Sequence, residues 1–125
     1  MREADWKDRL LVVLGSRWAV RVSGNSMRPA LENNDIVLVR RAGKIAVGDI
    51  VLAAHPFKTS VTILKRVTAI DEAGRIELHG DDPTESSDSR SFGAIPRKHI
   101  QGKVVSRLKR ADGEATTKID EQTRK

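Results

Sequence analysis

The stretch Val61-Thr62-Ile63-Leu64-Lys65-Arg66-Val67-Thr68-Ala69 decides how this chain is read. Strand side chains alternate with period two, so Val61, Ile63, Lys65, Val67 and Ala69 share one face, and Thr62, Leu64, Arg66 and Thr68 share the other. The alternation and the β-branched residues predict a half-buried strand over Ser60 to Ile70. Lys65 is out of place on it: a charged group sits among four apolar neighbours while the more polar face lies opposite. An ammonium that loses hydration is disfavoured, which lowers its pKa from about 10.4 and leaves an amine able to accept a proton. The plainer alternative is a lysine at the sheet edge whose stem is covered and whose head snorkels to water. Arg66 keeps its proton and is suited to pairing with a carboxylate.

Outward from this strand the same pattern repeats in short runs: Trp18 to Ser23, Ile36 to Arg40, Asp49 to Ala54, Arg75 to His79 and Ile100 to Leu108, each bounded by turn residues. Six such runs predict a mainly β, compact antiparallel-sheet domain over residues 18–108. Upstream, Trp6, Leu10, Val13 and Leu14 recur at helical spacing with Gly15 as a stop. Residues 1–17 are therefore expected to hold a short amphipathic helix, packed on the domain or touching a membrane surface through Trp6 and the nearby cations. Residues 109–125 are polar and charged, with Ile119 the one large aliphatic side chain, and are expected to be a disordered tail.

The chain has 125 residues and no cysteine, so it is expected to be one domain without disulfides, thiolate metal sites or a cysteine nucleophile, and to tolerate the cytoplasm. Its longest apolar run, Leu10 to Leu14, is far short of a membrane span, and acids at Glu3, Asp5 and Asp8 are unlike a secretory signal. The net charge of +6 is dispersed, aromatics make up 3% and tyrosine is absent, which argues against a nucleic-acid partner. His55, His79 and His99 are isolated, so no metal site and no histidine base is expected, and no cofactor is called for.

A second candidate group lies in Ser23-Gly24-Asn25-Ser26-Met27-Arg28-Pro29. Gly24 and Asn25 tolerate unusual backbone angles and Pro29 fixes φ, so Ser26 is expected on a rigid bend. Such a bend exposes a hydroxyl and can aim N–H groups at an oxyanion. By itself it is equally a loop. Paired with Lys65, it permits a Ser-Lys dyad.

A third segment completes the pattern: His79-Gly80-Asp81-Asp82-Pro83-Thr84-Glu85-Ser86-Ser87-Asp88-Ser89-Arg90-Ser91-Phe92-Gly93. With the serine turn and Leu64-Lys65-Arg66-Val67, it resembles the catalytic boxes of the signal peptidase I family, in the same order, over about Val20 to Val105. The resemblance implies the signal peptidase I and SOS-repressor protease fold, with Ser26 as nucleophile and Lys65 as general base. It also implies that the Ser86 hydroxyl orients the lysine, and that Asp88 and Arg90, joined by Arg66, form a structural salt bridge. Gly24 stands where many members carry a hydroxyl that serves the oxyanion, so the resemblance implies a hole resting on backbone N–H groups, chiefly that of Ser26, helped by Ser23 or Asn25. Asp82 replaces the usual asparagine and is expected to shape its loop. The wording of residues 80–93 and the His55-Pro56 pair are most similar to the nickel-type superoxide dismutase maturation protease branch. The implied activity is removal of an N-terminal leader from a protein precursor, an extended strand of which would pair near Ser23. The rivals are a self-cleaving SOS-type repressor, for which only 25 residues precede Ser26, and a non-catalytic basic nucleic-acid module.

Overall fold

The computed structural model describes residues 3–5, 17–58, 60–84 and 92–109. Six strands, β1 (Arg17–Arg21), β2 (Ile36–Arg41), β3 (Ile50–Ala54), β4 (Thr62–Ile70), β5 (Ile76–His79) and β6 (Ile100–Lys109), agree with the expected runs to within two residues at either end. They form one sheet in the order β1-β2-β6-β3-β4-β5, and every neighbouring pair is antiparallel. The mainly β antiparallel architecture is thus as the alternation implied.

Beyond β1 the chain leaves the ladder but keeps its hydrogen bonds. The Val22 amide donates to the Asp35 carbonyl at 2.8 Å and the Asn34 amide to the Val22 carbonyl at 2.7 Å, closing the loop that carries Ser26. β4 starts at Thr62 because the Val61 amide turns back to the Lys58 carbonyl at 2.7 Å.

The central strands are buried on both faces. Val37 and Val39 of β2 pack with Val22, Met27, Leu31, Ile50 and Val104, whereas Leu38, pointing the other way, packs with Ala4 and Leu108. A further cluster gathers Val51 and Ala53 of β3 with Val67, Ile76, Leu78, Ile95 and Ile100. Gly102 of β6 lies where a Cβ would meet the Val39 side chain, the Arg40 carbonyl oxygen at 2.9 Å and Trp18 Cη2 at 3.0 Å, so only glycine lets the Trp18 ring close over the sheet.

Of the segment expected to hold the amino-terminal helix, residues 3–5 and Arg17 are described. Ala4, expected to begin the helix, is extended: its amide donates to the Arg107 carbonyl at 2.9 Å, and Glu3 forms a parallel bridge with Arg107. Burial of the Ala4 methyl and the Arg107–Glu3 ion pair at 2.8 Å favour this docking over a helical turn. The remainder of that segment, residues 6–16, and the tail from 110 to 125 lie outside the described residues.

Candidate active site

The serine turn is fastened from several sides. Gly24 takes φ +89°, open to glycine at little cost, and its amide donates to Asn33 Oδ1 at 2.8 Å. That bond spends the Gly24 N–H, so this residue serves as a hinge and supplies no donor to an oxyanion. The Asn25 carbonyl accepts from the Arg28 amide at 3.2 Å, closing a turn around Ser26 and Met27, and the Met27 carbonyl accepts from Leu31 at 2.9 Å. Met27 itself is fully buried in the first core cluster. The residue after the candidate nucleophile is therefore an anchor, and its neighbour Ser26 is left half-buried on the surface side.

Lys65 lies in the middle of β4, opposite Val51 of β3, and is 5% exposed. The period-two reading of the strand is met: Lys65 and Val67 are buried, and Thr62 and Thr68 are exposed. In this register the lysine is held in the body of the sheet, which disfavours snorkelling from an edge.

Ser26 and Lys65 line the same cleft, of about 160 Å³, together with Val20, Arg21, Ser23, Leu52, Thr62, Ile63 and Leu64. In a flat sheet β1 and β4, separated by three strands, would lie about 19 Å apart. One cleft lined by both means that the sheet curls strongly, bringing the end of β1 over the start of β4.

The third segment meets the serine turn through the backbone. The Asp82 amide donates to the Ser26 carbonyl at 2.8 Å. One residue earlier, Asp81 receives a two-pronged bond from Arg66, Nε to Oδ1 and Nη2 to Oδ2, both 2.9 Å, while Arg66 Nη1 donates to the Gly48 carbonyl at 2.7 Å. The hydrogen bond to Asp81 is the main reason that the guanidinium is held above its usual pKa. Arg66 follows Lys65 in β4 and Asp82 touches Ser26, so this pair ties the lysine strand to the serine turn. The Asp82 carboxylate accepts from the Thr84 hydroxyl at 2.7 Å and the Thr84 amide at 3.1 Å, which lowers its pKa and turns the loop.

Of the residues singled out in the sequence, Ser26, Asn25, Gly24, Lys65 and Arg66 are thus placed at or beside one cleft. Ser86, Asp88 and Arg90 lie outside the described residues, and the carboxylate found on Arg66 is that of Asp81. Asp81 stands in the third segment, so pairing it with the free guanidinium of Arg66 was open to sequence reasoning. Asn33 gave no such signal, since nothing in the residues between it and Gly24 shows that the loop folds back on itself. Among the described residues no group of three or more His, Asp or Glu is placed to hold a metal ion. His79 stands opposite Arg66 with its Nε2 3.2 Å from Glu77, and His55 accepts from the Phe57 amide through Nδ1 at 3.1 Å. Neither lines the cleft.

The sequence that builds this cleft has a counterpart in known proteins: a family model described as Peptidase S24-like matches residues 2–105, spanning all six strands except the end of β6. The chain belongs to the Peptidase S24-like family. The S24-like chain is also similar to mitochondrial inner membrane protease subunit 1 of Xenopus tropicalis, 33% identical over 109 residues, covering 69% of this chain and 65% of that protein. The Homo sapiens protein of the same name is 30% identical over 112 residues, covering 71% and 68%. Mitochondrial ATP-independent inner membrane protease subunit 1a of Arabidopsis thaliana is 29% identical over 113 residues. The S24-like chain spans about two thirds of the length of these relatives. Family and relatives together make it a domain of a protease family. Among its described residues no helix is long and apolar enough to cross a membrane.

Proposed function

We propose that this chain is a Ser-Lys endopeptidase that removes an N-terminal leader from a protein precursor. The observation that carries the reading is the shared cleft of Ser26 and Lys65, two residues remote in sequence and drawn together by the curl of the sheet. Lys65, buried and therefore inclined to neutrality, takes the Ser26 proton; Ser26 Oγ attacks the scissile carbonyl; the same amine passes the proton to the leaving amine and then activates the water that frees the acyl-enzyme. With the Gly24 amide engaged, the N–H of Ser26 is the donor best placed by sequence position for the oxyanion, since it makes no hydrogen bond among the described residues. The Arg66–Asp81 pair holds the two halves in register, and Ser86 is assigned to orient the lysine.

The first substrate to test is a nickel-type superoxide dismutase precursor, on the strength of the wording of residues 80–93 and the His55-Pro56 pair. Incubation with the precursor, followed by mass spectrometry of the new N-terminus, is expected to give one cut that both Ser26→Ala and Lys65→Ala abolish. Near-normal turnover by Lys65→Ala would overturn the dyad. Activity is expected to rise with pH as the amine loses its proton, and a full plateau already at pH 6 would point to another base. We place the enzyme in the cytoplasm; the names of its relatives support instead a membrane site and a multi-subunit protease, and fractionation of the tagged chain separates the two.

A further inference from the structure

Among the described residues, the ionisable ones lining the cleft are of one sign: beside Lys65 there is Arg21, the last residue of β1, and no described aspartate or glutamate lines it. The acids nearest in sequence to the site are otherwise engaged: Asp81 on Arg66, and Asp82 on Thr84. Arg21 is exposed and has no ion-pair partner among the described residues, unlike Arg28 with Glu32, Arg66 with Asp81, Arg75 with Asp71 and Arg107 with Glu3. It sits on a strand whose one partner in the sheet among the described residues is β2, so that no described strand pairs with the second edge of β1 beside the cleft.

A guanidinium at the wall of a small cleft is a fixed positive charge facing whatever peptide enters. An extended peptide laid along the open edge of β1 would bring one side chain beside Arg21, as neighbouring strands do across a ladder. A lysine or arginine there meets a like charge, and an aspartate or glutamate gains a charge-assisted hydrogen bond.

Resting on the peptidase reading above, we propose that Arg21 is a specificity-determining residue that selects substrates with an acidic side chain close to the scissile bond. The cleft has room for a group of roughly benzene size. Selection at this site is therefore set by one short side chain inside the cleft and by one charge at its wall.

The test uses fluorescein-labelled decapeptides of alanine and glycine carrying a single Asp, Asn, Lys or Ala at successive positions. Binding to the Ser26→Ala chain is read by anisotropy, and cleavage by the unaltered chain by mass spectrometry. At one position the Asp peptide is expected to bind about fivefold more tightly than its Asn twin, the upper end for a solvent-touched ion pair. The preference should shrink as salt rises from 50 to 500 mM. Arg21→Gln is expected to bring the ratio to about one, and Arg21→Glu to invert it in favour of the Lys peptide. Equal binding of all four at every position, or an Asp preference that survives Arg21→Gln, would overturn the proposal. Cleavage without any Asp preference removes the selector and leaves the peptidase reading intact. An Arg21-dependent preference in a chain that cuts nothing keeps the selector and removes the peptidase reading.

Discussion

Breaking the Arg66–Asp81 pair tests whether the lysine strand and the serine turn are joined as the geometry implies. The pair makes two charge-assisted bonds of 2.9 Å, with side chains 32% and 21% exposed. Fully exposed pairs contribute about 0.5 kcal/mol, while removing one partner of a fully buried pair costs about 3 to 5 kcal/mol. This pair, partly covered and two-pronged, falls between them, so a double-mutant cycle of Arg66→Met and Asp81→Ala is expected to give a coupling of about 1.5 kcal/mol. Asp81→Ala alone should cost about 2 kcal/mol, because Arg66 keeps only the Gly48 carbonyl. The raised pKa of Arg66 adds no pH dependence in the working range. A base whose folded pKa is raised contributes its stability at all pH values below the unfolded one, and a guanidinium titrates only in strong alkali. Urea unfolding measures the stabilities, and cleavage of a precursor measures the consequence at the site. Since the Asp82 amide holds the Ser26 carbonyl, a shifted third segment misplaces the hydroxyl, and kcat should fall at least about tenfold with little change in KM. Arg66→Lys keeps a charge but loses the fork, and should recover less than half of the coupling. A coupling below about 0.3 kcal/mol, or an Asp81→Ala chain with unaltered kcat, would refute the reasoning.

Gly102→Ala is expected to cost about 1 to 3 kcal/mol in urea unfolding, because its Cβ would press on the Arg40 carbonyl and the Trp18 ring. Met27→Ala empties a fully buried position beside Ser26, and should lose about 2 to 5 kcal/mol together with most cleavage activity. Asp82→Asn keeps an oxygen for Thr84 but loses the charge, so at pH 7 it should melt slightly below the unaltered chain. Asp82 has a depressed folded pKa, owing first to the Thr84 hydroxyl, so its contribution is present above the unfolded aspartate value and lost as pH falls through the folded one. The two chains should therefore differ at pH 7 and converge through that acid window. Asp71 caps the β4–β5 turn through the Arg75 and Ala73 amides and follows the same sign, so Asp71→Asn should remove part of the acid sensitivity of that hairpin in amide exchange.

The sequence by itself determined the six strands and the sidedness of β4, because period-two alternation is local and burial follows from it residue by residue. It also marked Ser26 and Lys65 as the odd polar groups in their settings, a hydroxyl on a constrained bend and an amine on an apolar face. Boundaries shifted where turns took over the hydrogen bonds, as Val61 does with Lys58. The start of the expected helix at Ala4 was lost to a long-range contact, since a short amphipathic pattern cannot show that Arg107 offers a carbonyl and Leu38 a surface. Which strands neighbour one another, and that β1 and β4 curl to line a single cleft, was decided only by the tertiary structure. Strand order depends on which of many apolar faces meet, a property of the whole packed sheet and not of any one segment. Asn33 as the partner of Gly24 was hidden for a more local reason, since the closure of the β1–β2 loop by the Val22 and Asn34 amides sets which of its side chains meet.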